Sequence, residues 1–275
     1  MLDLFEIARS NSETAERDFE SLIASLTAED SQRLRQFANW IKSEALISIN
    51  VRLFVLNDLI AGKAFQNSYE WASEMAKLSS RKPEEILRER LGKFYNRRVA
   101  FDSAFINGTK FRYGALYIRG AGLSDYGPYC AVLKKAFQDS LDNLAYLNGD
   151  SLKSCFTIHG DFDPTSVTGT CIGHSHRHFL VAKERAAEVC RTTQDFWHEC
   201  VTSTNSFFEG IFVSDVNLDA ILVVRVLKSE FENTWDLAFA NFGRKLGEAE
   251  KARVQDFVRL QRAVKTGLVR LEVIQ

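Results

Sequence analysis

Phe111-Arg-Tyr-Gly-Ala-Leu-Tyr-Ile-Arg-Gly-Ala-Gly-Leu-Ser-Asp-Tyr-Gly-Pro-Tyr-Cys-Ala-Val-Leu-Lys134 reads as two strands around a glycine-rich loop. Ala115–Ile118 and Tyr129–Leu133 are short apolar runs, and Gly120, Gly122, Gly127 and Pro128 punctuate the segment between them. Tyr113, Tyr117, Tyr126 and Tyr129 gather around that loop with Arg112 and Arg119. Aromatic faces beside guanidinium groups can stack a flat base and hold phosphates.

Outward from this pair the same pattern continues. Ser154–Ile158, Phe207–Val213 and Ala220–Val226 are further strand-like runs, and Phe179–Ala182 is another. Asn107-Gly108, Asn148-Gly149 and Gly160-Asp161 supply turns between them. The flanks read differently. Leu34, Phe37, Ala38 and Ile41 form an i, i+3, i+4, i+7 stripe, and Thr27 with Asp30 caps it. Asn11 or Ser12 is expected to start an earlier helix, and Ala45–Ala61, apolar nearly all round, is expected to be a buried one. Pro83 predicts a helix start that runs to about Asn96. Near the C-terminus, Phe231, Trp235, Leu237, Ala238 and Phe242 are expected to pack on the body, and Ala252–Leu268 is expected to be helical. The expected class is therefore α+β. A helical region spans 1–96, an α+β core spans 97–228, and C-terminal helices span 229–275.

Composition narrows the function. With 45% hydrophobic and 26% charged residues the chain has an ordinary globular balance. Lys+Arg 35 against Asp+Glu 36 gives a net charge of −1, which excludes a uniformly basic nucleic-acid coat protein. Charge is nevertheless segregated: Arg81 to Arg119 carries ten Lys/Arg against four acids, a local excess of six. That stretch is a candidate anion site. The five cysteines are odd in number and include no C-x-x-C pair, which argues against a disulfide framework or zinc ribbon. Met1-Leu-Asp-Leu-Phe-Glu lacks a basic and apolar leader, and Asn50, Arg52, Asn57 and Asp58 interrupt the most apolar stretch. A cytoplasmic protein without a membrane span is expected.

Two constellations compete for the chemistry. His174-Ser-His176-Arg-His178 could place imidazoles on one face for a metal or a histidine-triad phosphotransfer site, with Cys171, His159 or His198 as further ligands. Ser175 and Arg177 between the histidines favour a polar loop instead, so no metal is assigned. The other constellation centres on Glu209, the one acid in the aromatic-apolar strand Ser206-Phe-Phe-Glu-Gly-Ile-Phe-Val213.

The order Tyr-Gly-Ala-Leu, Val-Leu-Lys, Phe-Thr-x-x-Gly-Asp, Gly169-Thr170 and aromatic–x–Glu resembles an uncharacterised bacterial domain type. That type is associated with the ADP-ribosyltransferase fold of toxins and effectors, and the likeness covers roughly 97–226. The resemblance implies a split β-sheet core and NAD as substrate. It implies Glu209 as the catalytic carboxylate and Thr157 as the second-motif hydroxyl. Arg98, Arg112 and Arg119 compete for the first-motif arginine, and with Tyr113 and Tyr126 they form the implied NAD-binding set. Phe207 stands where arginine-modifying transferases carry Glu or Gln, so RNA, DNA or another protein side chain is the implied acceptor. An antitoxin or inhibitor protein is an implied partner. A histidine-cluster phospho- or nucleotidyl hydrolase and a catalytically inactive interaction protein are the alternatives.

Overall fold

Short runs of apolar and aromatic residues build most of the strands, and amphipathic stripes build the longer helices. The computed structural model describes residues 1–203, 206–240 and 245–275. In chain order the helices are α1 (Leu4–Ala24), α2 (Ala28–Glu44), α3 (Leu53–Ile60), α4 (Ser68–Ser79), α5 (Pro83–Leu91), α6 (Tyr95–Ala104), α7 (Lys135–Asp139), α8 (Ser151–Ser154), α9 (Pro164–Thr168), α10 (Arg177–Glu184), α11 (Ala186–Val189), α12 (Trp197–Val201), α13 (Lys228–Trp235) and α14 (Glu248–Lys265). The strands are β1 (Leu46–Val51), β2 (Arg112–Tyr117), β3 (Tyr129–Leu133), β4 (Leu144–Asn148), β5 (Ile172–Gly173), β6 (Thr202–Ser203), β7 (Ser206–Phe212), β8 (Ile221–Leu227) and β9 (Leu271–Ile274). The protein is α+β.

The chain divides into two compact units, each assembled from three separated segments. The first holds residues 1–45, 66–116 and 141–214; the second holds 46–65, 117–140 and 215–275. In the first unit the strands run β5-β4-β7-β2, all pairs antiparallel, with β6 also paired to β7. Strand alternation puts Tyr113, Ala115, Leu147, Glu209 and Ile211 on one face. Ile211 and Leu147 there join Leu4, Phe101, Phe105 and Phe111 in an aromatic core. Burying a Phe or Leu side chain contributes roughly 1.5–3 kcal/mol, so this cluster anchors α1 and α6 to the strands. The α2 stripe is fully used: Leu34, Phe37, Ala38 and Ile41 are all buried, and Phe37 meets Trp197 edge-on at 5.3 Å.

In the second unit the order is β1-β3-β8-β9. The first two pairs are antiparallel and β8 with β9 is parallel. Phe257, Leu260 and Ala263 form the buried stripe of α14, and Phe231 and Trp235 pack on the Phe257 ring. Asn57 donates to the Asp256 carbonyl at 2.9 Å, tying α3 to α14.

Several expected elements differ. Ala45–Ala61 is not one helix: β1 occupies Leu46–Val51 and α3 follows from Leu53. A short apolar run has no period of its own, and the β-branched Leu-Ile-Ser-Ile-Asn-Val segment pairs with β3. The first helix begins at Leu4, because Asp3 accepts the Phe5 and Glu6 N–H groups at 3.0 and 3.1 Å. Asn11 instead donates to the Thr168 and Cys171 carbonyls. Ser154–Ile158 is no strand; after α8 it contributes a single bridge, Phe156 to Phe162. Phe179–Ala182 is helical within α10, where Phe179 packs on Phe19 at 5.1 Å. The helix from Pro83 stops at Leu91, since Gly92 turns the chain with φ +52, and α6 restarts at Tyr95. Strands β4, β5, β6 and β9 have no counterpart among the expected runs. Phe242 lies outside the described residues. Among the described residues no helix is long and apolar enough to cross a membrane.

Candidate functional site

The first unit encloses a polar cluster in an apolar setting. Glu209 sits on β7, paired on one side with Ala115 of β2 and on the other with Leu147 of β4. It is therefore interior to its strand set, not an edge residue, and only 5% exposed. Its Oε2 accepts the Ser151 backbone N–H at 3.0 Å. Ser151 follows Asp150, which caps α8 by accepting the Leu152 N–H at 2.9 Å. Both residues are buried.

Helix α6 supplies the positive charge. Arg98 and Asp102 are four residues apart, so they share a face. The Arg98 guanidinium lies 3.7 Å from the centre of the Tyr113 ring, and its Nη1 stands 3.6 Å from Asp102 Oδ1. That separation is an ion pair but too long for a hydrogen bond. The Tyr113 hydroxyl donates a short hydrogen bond to Asp102. Arg98 Nη1 and Ser151 Oγ are buried in this cluster without a hydrogen-bond partner, while Tyr69 interacts with the Asp102 carboxyl. Such groups ordinarily find a partner in the protein or in bound solvent.

Burial pushes the Glu209 carboxyl up to about 7. Arg98 and the Ser151 N–H pull it down, and Asp150 pushes it further up. Burial also raises Asp102, against the pull of Arg98 and Tyr113. Tyr113 rises well above its ordinary value, chiefly by burial, and Tyr69 rises by burial and the nearby Asp102 charge. Burial alone would lower Arg98. Tyr113, Asp102, Glu209 and Asp150 outweigh it and keep the guanidinium charged. The cluster thus pairs a fixed cation with a carboxyl that changes charge near neutrality, the combination required for acid-base or charge-stabilising chemistry.

The expected site residues separate. Glu209, Arg98 and Tyr113 come together. Arg112 is buried and committed to Glu70, contacting both carboxylate oxygens at 3.1 and 3.0 Å. Arg119 and Tyr126 are exposed and belong to the second unit. Thr157 is exposed in a turn closed on Asp161, through a 2.8 Å backbone bond and a 3.3 Å bond to its hydroxyl. It does not stand on a strand beside Glu209. Sequence reading missed Tyr69, Asp102, Asp150 and Ser151. The i, i+4 spacing of Arg98 and Asp102 was a visible signal, and so was the Asp150-Ser151 cap after the Asn148-Gly149 turn.

The polar loop expected for the histidines is found for two of the three. His174 and His176 lie in a 3-10 turn, and His178 is buried on α10. His174 Nδ1 meets the Tyr146 hydroxyl at 3.0 Å. Burial, then Lys42 and Arg177, push His178 down to about 4, so it is neutral at physiological pH. Among the described residues no group of three or more His, Cys, Asp or Glu side chains is arranged to hold a metal ion. No protein-family model matches the chain, and no curated protein matches it.

Proposed function

We propose that the chain is an ADP-ribosyltransferase built on a split sheet, which cleaves the nicotinamide–ribose bond of NAD and passes ADP-ribose to a macromolecule. One observation carries this reading: Glu209, the acid singled out by the resemblance, is enclosed with Arg98 as its buried counter-charge. In the reaction the ribose C1′–N bond breaks and nicotinamide leaves as a neutral molecule. The positive charge left on the ribose is collapsed by an acceptor nucleophile, whose proton is lost. Ionised Glu209 stabilises that developing charge, as glycosidase carboxylates do. The unpartnered groups suit a ribose diol. Each hydroxyl both donates and accepts, so it can satisfy Arg98 Nη1 and Ser151 Oγ as donors and a carboxylate oxygen as acceptor. Arg98 takes the first-motif role in this reading. Thr157, exposed in its turn, is not assigned the hydroxyl role.

The near-complete burial of Glu209 favours a second reading, a catalytically inactive core in which the carboxyl is only a packed residue. Incubation with nicotinamide-labelled NAD separates them. The transferase releases nicotinamide, Glu209→Gln lowers release by on the order of 10²–10³, and His176→Ala retains it. No release from the wild-type chain with nucleic-acid or protein acceptors leaves the inactive reading. Release lost in His176→Ala and kept in Glu209→Gln returns the histidine-cluster hydrolase.

A further inference from the structure

Part of the charge segregation seen in the sequence becomes a surface beside the candidate site; Arg98 and Arg112 are enclosed and Arg119 belongs to the other unit. The stretch Arg81–Arg119 has an excess of six positive charges in a chain of net charge −1, so the remainder carries −7. Between Arg81 and Arg98 alone there are seven Lys/Arg against three Glu. Five of these cations are seated on rings, Arg90 on Trp71 and Arg98 on Tyr113 among them. The Arg88 guanidinium lies 4.1 Å from the centre of Tyr95, Lys93 Nζ lies 5.1 Å from Phe94, and the Arg97 guanidinium lies 5.4 Å from Phe156. Phe94 itself is 38% exposed. Carboxylates are present too: Glu84 pairs with Arg88 at 3.2 Å, and Asp150 is 3.9 Å from Lys153, whose side chain is 66% exposed.

This band abuts the Glu209 cluster on two elements. Arg97 precedes Arg98 on α6, and it donates to the Leu152 carbonyl at 2.9 Å. Leu152 follows Ser151, whose N–H holds Glu209. We infer that the band Arg88–Lys93–Arg97–Lys153 binds single-stranded nucleic acid and that this strand is the acceptor. Only the word acceptor rests on the transferase reading; the binding surface does not. A guanidinium seated on a ring has lost rotamer freedom before binding; its outer face remains for a base, and the N–H groups not given to Glu84 by Arg88 or to Leu152 by Arg97 remain for a phosphate. The half-exposed Phe94 ring adds a stacking platform. Cations interleaved with aromatic faces are how sequence-tolerant single-strand surfaces are made. An acidic peptide would use the charges and leave the rings idle.

The test is fluorescence anisotropy on the full chain, carrying Glu209→Gln to prevent turnover, with labelled single-stranded DNA, single-stranded RNA and polyglutamate of equal charge. Binding of either oligonucleotide at least tenfold tighter than polyglutamate is expected. Each phosphate contact should contribute about −0.7 to the slope of log affinity against log salt. Lys93→Glu/Lys153→Glu, both at exposed positions, should weaken binding at least tenfold and flatten that slope by about one to two while circular dichroism is unchanged. The DNA and RNA arms decide which strand is preferred. Equal or tighter binding of polyglutamate, or oligonucleotide binding unmoved by the double variant, overturns the inference. Nicotinamide release by the wild-type chain without oligonucleotide binding also overturns it and points to a protein acceptor, leaving the transferase reading intact. Oligonucleotide binding without nicotinamide release under any acceptor keeps the surface and removes the transferase reading.

Discussion

Each unit contains an arginine, a tyrosine and a carboxylate in one cluster, and the two clusters are finished differently. In the second unit Arg225 Nε bonds Glu272 Oε2 at 2.7 Å, and Arg225 also donates a short bond to the Tyr117 hydroxyl. That hydroxyl donates to the Gly120 carbonyl at 2.9 Å, and Arg270 reaches Glu272 at 2.6 Å. Arg225 and Glu272 are part exposed, with side-chain exposures of 25% and 28%. In the first unit the charged pair Arg98 and Asp102 is more deeply buried, with side-chain exposures of 11% and 1%, yet Arg98 stops 3.6 Å short of Asp102, and Arg98 Nη1 and Ser151 Oγ have no partner. Unmade hydrogen bonds cost little at a wet surface and much in a dry interior. The saturated cluster is a fastening of β8 to β9. The deeper, incomplete one retains bonding capacity where it is most expensive, and the proposed function gives that capacity to a ribose.

The strongest way to break this contrast is to remove the two arginines. Arg98→Met leaves Asp102 and Glu209 buried without their cation, and a loss of about 3–5 kcal/mol is expected. Arg225→Met, at a part-exposed pair, should cost roughly 1 kcal/mol or less. Urea denaturation of both variants measures the difference, and equal losses would erase the distinction between the clusters.

The next effect is on pH dependence. The Glu209 carboxyl titrates near 7 when folded, against an ordinary 4.5. It therefore holds its proton more tightly in the folded state. Its stabilising contribution is complete below about pH 4.5 and is lost as pH rises through 7. Glu209→Gln cannot ionise, so its stability relative to wild type should grow from pH 5 to pH 8, to on the order of 3 kcal/mol. Melting temperatures across that range test this, and a constant gap would mean that Glu209 does not titrate in the interior. The same ionisation sharpens the functional reading. Nicotinamide release needs the charged carboxylate, so kcat/KM should rise with pH through about 7. A flat profile from pH 6 to 8 would detach the chemistry from Glu209.

The smallest effect concerns the tyrosines. Tyr113→Phe keeps the ring under Arg98 and removes the bond to Asp102, with a loss of about 1–3 kcal/mol because Asp102 is left buried with fewer donors. Tyr117→Phe removes a bond from the part-exposed Arg225, which Glu272 still holds, and about 1 kcal/mol is expected. Thermal denaturation of the pair ranks them, and the reverse order would contradict the argument from the burial of the partners, Asp102 being 1% exposed and Arg225 25%.

The amino-acid sequence by itself determined β2, β3, β7 and β8, because apolar runs bounded by Gly, Asn and Asp leave few other conformations. It also determined the α2 stripe and its Thr27 cap, where Oγ1 accepts the Asp30 N–H at 3.2 Å. Glu209 stood out as an acid among aromatics. Tertiary structure alone decided the rest. Leu46–Val51 became a strand and Phe179–Ala182 a helix, since short apolar segments take the form their neighbours can pair or pack with. Among three competing arginines, Arg98 paired with Asp102 within electrostatic range of Glu209, Arg112 was taken by Glu70 and Arg119 stayed at the surface of the other unit. Charge and spacing in a sequence say which groups can ionise. Which carboxylate meets which cation, and how much water lies between them, is settled only when distant segments close around the pair.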